Sequence, residues 1–502
     1  MNTSYSHHNL PQRNTSKVII MHRELIISSY AFTWSSSSLL YICRRMQIEG
    51  SLKVTNTYRN ILKIALPISI AILIPQLNFL TNTLFLGYYK PSLSYFSTED
   101  LLAASGVAGI YYLTMVMADY GLVSGILMLM SRKAGENDKP GMAQLFFNGI
   151  LLSLVMSLVM IVVSLLVAPV LFRAVIHEKA IAEAAVSFIR VRIWGLPFIV
   201  LCQLANSLFM STSQSKYIII GSGAQTVVNI FFDYLLIFGI WIFPEMGIEG
   251  TALASVISEV VYMLVSFAII QYSKTFIDFV IQSFKNVDIA LMKHMLIKSS
   301  PLILQYFLSI GAWEVFFIYV EHLGKSESAL SQIFRSVFGL VGVAAWALAS
   351  TCNSMVSNLI GQQALDDVIP LIKKIVTISF LSAFVVGLPL LMFPRFFLHL
   401  LTSDMHLVEM GITSLRIVVL ATWMLSVSTI VFNAVVGTGH TRTNMVFELI
   451  SIVLYLMYTT IVIETLHMPL PYAWLSEFVY WLTLFSLSMV FFYSGKWKKI
   501  QR

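Results

Sequence analysis

Two side chains in one apolar run raise the chemical question for this chain. Within residues 227–255, VVNIFFDYLLIFGIWIFPEMGIEGTALAS, Asn229 and Asp233 stand among Phe231, Phe232, Tyr234, Leu235 and Leu236. Residues four apart stack on one face of a helix, so an amide and a carboxyl offer oxygen ligands to one small cation or a proton. A carboxylate in hydrocarbon is costly, and an ionisable residue inside a spanning helix is a functional candidate by default. Burial among Phe and Leu disfavours the charged form. A group held near neutrality can take up and release a proton as its surroundings hydrate. The competing role is a structural carboxylate paired with Lys or Arg. The run itself holds no basic residue and the neighbouring spans offer none at matching depth, so cation coupling is the favoured reading of Asp233.

Other polar residues in apolar surroundings are weighed the same way. Glu314, in IGAWEVFFIYV, is a second isolated midspan acid and the candidate for a second coupling site. Glu321, next to His322 and Lys325, reads as interfacial. Asn82 in LTNTLFLG, with Asn78 one turn earlier, can coordinate or hydrogen-bond but cannot titrate; interhelical bonding is an equal reading. Pro67 and Pro75 lie in the same run. Each removes a backbone donor and favours a kink, which suits a helix that must bend if access alternates. Glu259 and Glu477 occupy matching SEVVY and SEFVY segments, and the repetition suggests a shared structural job. Glu448 reads as a loop-proximal ion pair with Arg442, and Asp119 either faces a cavity or pairs with a neighbour.

The elements that carry these residues follow from composition. The chain of 502 residues is 57% hydrophobic and 11% charged, with a mean hydropathy of +0.80. Soluble chains average about 25% charged residues, so the class is a polytopic membrane protein. Apolar runs near 61–87, 101–130, 141–169, 188–210, 217–243, 247–272, 297–322, 329–360, 369–393, 412–436, 444–466 and 470–493 suit spans of about 20 residues. They are continuous rather than alternating, which excludes a β-barrel. The predicted fold is all-α, twelve transmembrane helices in two pseudo-symmetric six-helix bundles. Lys and Arg concentrate on one side, including Arg132, Lys133, Lys139, Lys216, Lys298, Arg442, Lys496 and Lys498, so the positive-inside rule places both termini in the cytoplasm.

An internal repeat supports the two bundles. Residues 189–216 lie over 415–442 at a constant offset that sets Arg190 on Arg416 and Lys216 on Arg442, and the same offset sets Gly135 on Gly361. Each half holds an even number of spans, so the repeat is parallel, and transporters commonly build their site at such an interface near the midplane. The expected organisation is a doubtful extension over 1–54, a six-helix bundle over 55–272, a cytoplasmic surface linker over 273–296, a second bundle over 297–493 and a basic tail over 494–502. Within the extension, Met46 is a plausible alternative start.

Enzyme chemistry finds no support. There is no Walker A, HExxH or GxSxG sequence, and Cys43, Cys202 and Cys352 form neither a disulfide framework nor a zinc pattern. The net charge of +7 comes without a basic nucleic-acid motif. No cofactor is implied beyond H⁺ or Na⁺ as coupling ion. The partner expected from composition is the bilayer, and the protein is expected to work as a monomer.

With these residues in hand, NIFFDYLLIFG followed by MGIEGTALAS resembles the fifth and sixth helices of the multidrug and toxic compound extrusion (MATE) family. IALPI, LMSRKAGENDK and NAVVGTGHTRT fit the same pattern, and the resemblance covers about residues 55–500. It implies two six-helix bundles forming a V that exports organic cations and drugs against Na⁺ or H⁺ across a bacterial inner membrane. It carries the fifth-helix pair onto Asn229 and Asp233 and a sixth-helix hydroxyl onto Ser255. The family's first-helix acid falls at Asn82, an amide here, which leaves Asp233 the one carboxylate of that implied site. Glu314 matches a seventh-helix Glu used by another branch. A lipid-linked saccharide flippase of the same superfamily is the runner-up, lowered by the few interior basic residues (Arg335, Arg190 and Arg192, near helix ends). A non-transporting scaffold would need neither the repeat nor the midspan acids.

Overall fold

The computed structural model describes residues 52–89, 97–272, 287–402 and 404–498. The N-terminal start and most of the linker lie outside the described residues, as do the side chains of Pro75 and Asn78. No strand occurs among the described residues. The first half comprises α1 (Tyr58–Tyr88), α2 (Thr98–Gly135), α3 (Lys139–Val175), α4 (Lys179–Ser211), α5 (Lys216–Phe238) and α6 (Gly247–Tyr272). The second comprises α7 (Ile289–Leu323), α8 (Lys325–Gly361), α9 (Val368–Met392), α10 (Met405–Gly437), α11 (Thr441–Thr465) and α12 (Leu470–Tyr493). Eleven of these are long and apolar enough to cross a membrane, and α1, of 31 residues, supplies the twelfth pass. The short helix Pro394–Leu401 lies between α9 and α10.

Local chemistry sets the helix ends. Ser97 and Asp100 form a reciprocal capping box at the start of α2, with bonds of 3.1 and 2.9 Å. Asp138 caps α3 by accepting the Gly141 N–H at 2.9 Å. Gly239, at φ +63°, ends α5 in the left-handed conformation. That stops α5 short of the sequence expectation of 243. The span α4 begins at Lys179, earlier than expected, and breaks into a 3₁₀ turn at Ile193–Gly195, just before Pro197. Helix α1 runs unbroken through Pro67. The last residues read as linker are helical, because α7 begins at Ile289.

Polarity is arranged for a membrane. On α3, Leu158, Val162, Leu166 and Val170 are exposed, whereas Ser153, Ser157 and Ser164 are buried. Small hydroxyl residues allow close helix packing in lipid and apolar ones face the acyl chains. The core of the second half centres on Trp474, whose ring meets Phe316 at 5.1 Å and Phe334 at 5.7 Å. Its indole N–H donates to Ser331 at 3.1 Å, the partner that a buried Trp requires.

The halves meet along α2, α7 and α8. Gly121 and Gly125 let α2 lie directly on α7: a Cβ would come within 2.5 Å of Ile303 Cα at the first and 2.2 Å of Ser299 Oγ at the second. Nearer the termini the same contact occurs twice. A Cβ on Gly135 would lie 2.0 Å from the Asn358 carbonyl oxygen, and one on Gly361 would lie 2.1 Å from that of Arg132. The repeat offset that sets Gly135 on Gly361 also sets Arg132 on Asn358. Ser131 bonds Ser354 at 2.8 Å, and its repeat mate Ser357 donates to the Met128 carbonyl at 2.6 Å. These contacts occupy the half of α2 nearer the termini. Asn358 also ties down the segment before α1, accepting from the Val54 N–H and donating to the Leu52 carbonyl, each at 3.1 Å.

Candidate functional site

Asn229 and Asp233 occupy successive turns of the buried face of α5, at 2% and 0% exposure. The antiparallel neighbour α6 brings up Ser255, and the Asn229 amide reaches its hydroxyl at 3.5 Å. Helix α1 packs on the other flank of α5 through Phe85, whose ring lies 6.1 Å from both Tyr234 and Phe238. Asn82 sits one turn before Phe85, half-buried. The structure therefore brings α1, α5 and α6 together around the residues singled out from sequence. The residues so singled out on these helices, Asp233, Asn229, Asn82 and Ser255, are one carboxyl, two amides and a hydroxyl.

The expectation that no basic residue lies at matching depth does not hold. Arg192, on α4, reaches this depth, because it pairs with Glu259, one turn along α6 from the Ser255 that Asn229 contacts. Its charge is engaged by Glu259 of α6, with bonds of 2.5 and 2.9 Å, and its guanidinium lies 3.8 Å over the Tyr112 ring of α2. Gly195, one turn after Arg192, makes room: a Cβ there would lie 2.1 Å from Glu259 Oε2. This triad was missed because its members are far apart in sequence. The available cue was RVR running straight into an apolar span, opposite a lone Glu in another.

Glu314 is not isolated. Arg335 of α8 pairs with it at 3.3 Å and stacks over Trp313 at 4.8 Å and Phe317 at 5.1 Å. Both side chains of the pair keep a fifth to a quarter of their surface exposed. Glu477 has the structural setting expected of it, accepting from the Trp481 indole at 2.9 Å and from Tyr455 at 3.5 Å. Its repeat mate Glu259 instead faces a cation. Glu448 departs from the expected loop pair with Arg442: it is 1% exposed and accepts from Ser309 and, at 2.5 Å, from Tyr480. Residues six apart point away from each other on a helix, which is why Arg442 does not reach it. Asp119 is buried in α2, and neither carboxyl oxygen has a hydrogen-bond partner among the described residues.

The two ends of the bundle differ in charge. Arg132, Lys133, His294 and Lys298 line a cleft at the terminal side, where Glu136 and Asp138 both pair with Lys133 and leave the other bases in excess, and Lys298 with His440 and Arg442 lines an adjoining pocket. Opposite charges pair at the far ends, Arg173 with Glu183 at 2.7 Å and Arg395 with Glu409. His440, at the start of α11, is held below the ordinary histidine range by burial, then by Lys298 and Arg132. Protonation there would add to an already positive surface.

Comparison with known proteins agrees with this architecture. A family model described as MatE matches residues 67–235 and 301–461. A probable multidrug resistance protein NorM of Thermotoga maritima is 23% identical over 460 residues, spanning 89% of this chain and 94% of that protein. One of the same description from Synechocystis is 25% identical over 350 residues, spanning 67% of this chain and 71% of its own. Among solved structures, an outward-facing multidrug resistance MATE transporter of the MOP superfamily superposes with a TM-score of 0.77 at 16% identity, over 93% of this chain and 99% of that one. A MOP superfamily transporter from Pyrococcus furiosus gives 0.75 at 17% identity, over 92% and 98%. At these identities the structures speak to the fold alone.

Proposed function

The chain belongs to the MatE family of multi-pass membrane transporters, and from that premise we propose that it is a proton-coupled antiporter exporting cationic or amphiphilic small molecules. The observation that carries this reading is Asp233: a fully buried carboxyl in a spanning helix, one turn from Asn229, which reaches Ser255. Coupling requires that proton and substrate each favour a different conformation, since only differential affinity shifts the balance. Protonated Asp233 is neutral and compatible with a closed, dry site; ionised Asp233 demands hydration or a cationic partner. The amide at Asn82 supports H⁺ over Na⁺, because a site with a single formal negative charge repays little of the cost of dehydrating a metal cation.

The basic terminal side supports cytoplasmic termini in a bacterial inner membrane. With that orientation, the symmetric α2–α8 contact joins the two halves at the cytoplasmic face. The Glu314–Arg335 pair cancels its own charge, which argues against a cationic cavity built for lipid-linked phosphates. The protein acts as a monomer, with the six-helix halves spanning about 55–272 and 289–493.

The test is ethidium efflux from proteoliposomes under an imposed pH gradient and then an imposed Na⁺ gradient. Export is expected under the pH gradient alone, and Asp233→Asn is expected to abolish it while leaving the melting temperature near the parent's. Export by that variant at the parent's rate would remove Asp233 from the mechanism. Export driven solely by Na⁺ would replace the proton as coupling ion.

A further inference from the structure

The second half holds an acid that the proposed mechanism does not use. Glu448 lies on α11 with Asn444 one turn before it, at 1% and 0% exposure. Facing them on α7 are Ser309 and Gln305, also one turn apart. The Asn444 amide donates to Gln305 Oε1 at 2.7 Å, and Glu448 Oε1 accepts from Ser309 and from Tyr480 of α12. This leaves two buried oxygens, Glu448 Oε2 and Asn444 Oδ1, with no hydrogen-bond partner among the described residues. Both are acceptors, on one face of one helix. A buried acceptor without a donor costs about 1–3 kcal/mol, more when charged, and two together call for one positive species.

The surroundings supply no other compensation. From α7 the titratable group near Glu448 is Tyr306, and from α12 they are Tyr480 and the second buried acid, Glu477. On α11 itself Arg442 lines the terminal-side pocket, and Tyr455 is committed to Glu477. The titratable residues of α10, His406, Glu409 and Arg416, lie in its first half, and the Glu409 charge is taken by Arg395. Glu259, the first-half mate of Glu477, has Arg192; the repeat offset puts the apolar, buried Val418 where a corresponding arginine of the second half would stand.

We propose that Glu448 is a second exchangeable-proton site: it carries a proton on Oε2, shared with Asn444 Oδ1, in the conformation described here. Protonation converts one carboxylate oxygen into a hydroxyl donor, and release returns the proton to water as hydronium with no other bond changed. The arrangement parallels the first half, since α5 and α11 each carry an Asn followed four residues later by an acid. The depths differ. The offset that sets Lys216 on Arg442 sets Asn229 on Tyr455 and Asp233 on Thr459, and Asn444 and Glu448 precede those positions by eleven residues, about 16 Å of helix. The two sites are thus staggered along the membrane normal, with Glu448 nearer the termini.

Infrared difference spectroscopy on the full-length protein in detergent, recorded between acidic and alkaline pH in H₂O and D₂O, tests this without reference to transport. The expected result is a protonated-carboxyl carbonyl band at neutral pH that is absent from Glu448→Gln and retained in Asp233→Asn. Glutamine keeps the shape and can still donate to Asn444, so this variant is expected to fold; Asn444→Leu is expected to keep the band but shift its frequency, because its hydrogen-bond acceptor is gone. A spectrum unchanged by Glu448→Gln would overturn the proposal. It would mean that the amides of Asn444 and Gln305 both sit half a turn over, with Asn444 donating to an ionised Glu448. Disappearance of the band on adding Na⁺ at constant pH would likewise overturn it, in favour of a metal cation. Because the component lost in Glu448→Gln belongs to Glu448 alone, it reads this site whether or not Asp233 couples transport.

Discussion

Removing the Arg192 charge is the sharpest test of what holds the first half together. Glu259 is 2% exposed and Arg192 13%, joined by bonds of 2.5 and 2.9 Å, with the guanidinium 3.8 Å over Tyr112. Arg192→Met keeps most of the apolar stem but leaves a buried carboxylate with the Tyr112 hydroxyl at 3.4 Å as its remaining side-chain donor. Breaking a buried pair from one side costs about 3–5 kcal/mol, because the surviving charge has no compensation. The cation–π contact adds about 1–2 kcal/mol. Exposure of the arginine lets some water in, so the total is expected near the lower end of the sum, about 4 kcal/mol. Replacing both residues, Arg192→Met with Glu259→Met, removes both desolvation costs and should recover most of that loss. The assay is a double-mutant cycle on reversible unfolding of the detergent-solubilised protein, with Glu259→Met as the second single variant and Gly195→Ala as a companion. Gly195→Ala should resemble the single variants, since its Cβ would displace the carboxylate. If the double variant loses as much as the two singles summed, within about 0.5 kcal/mol, the pair is not an energetic unit and the reasoning fails.

Further predictions address the remaining sites. Gly135→Ala and Gly361→Ala each push a methyl into a carbonyl oxygen and should favour the conformation in which the terminal side opens; cysteine accessibility at Ser131 should rise in both. Glu314→Gln is expected to cost at most about 1 kcal/mol, since its pair is partly solvated, and to keep ethidium efflux; loss of efflux would transfer coupling to the second half. Partial burial acts against the Asp138 charge, but Lys133 and the Gly141 N–H outweigh this and hold its carboxyl below the ordinary aspartate range. A lowered folded value means its contribution is complete above the unfolded value and lost as pH falls through the folded one. Asp138→Asn should therefore flatten the acid limb of a melting-temperature profile. Trp474→Ala should cost about 3–5 kcal/mol, read by the same unfolding assay.

The spans were legible because each needs its own long apolar stretch, and the repeat because similar residues recur at one offset. Their ends were less so. The apolar text continues past Gly239 to Phe243, yet the left-handed glycine stops α5 first. Charged residues such as Lys179 and Glu183 hid the first turns of α4, although they belong to the same span as the run after Pro197. Asn229, Asp233 and Ser255 could be grouped from sequence because they lie on adjacent helices joined by a short turn. The partners of Glu259, Glu314 and Glu448 could not, because each comes from a helix whose rotation about its own axis is fixed only by packing. Arg442 was the nearest basic residue to Glu448 in sequence, but helical geometry turned it elsewhere.

The paired crossing of α2 and α8 carries a consequence for how the molecule is assembled. Gly135 meets Asn358 as Gly361 meets Arg132, and the Ser131 and Ser357 contacts are exchanged in the same way. Contacts that map onto themselves when partners are swapped are the signature of an isologous, twofold dimer interface. In this chain they occur within a single polypeptide, so it behaves at this seam as a fused dimer whose protomers have otherwise diverged, one toward Asp233 and Arg192, the other toward Glu448 and Arg335. The two halves, produced as separate polypeptides in one membrane, would therefore carry the complementary surface needed to find each other. Any substitution accepted on one side of the seam must also suit the surface presented by the other.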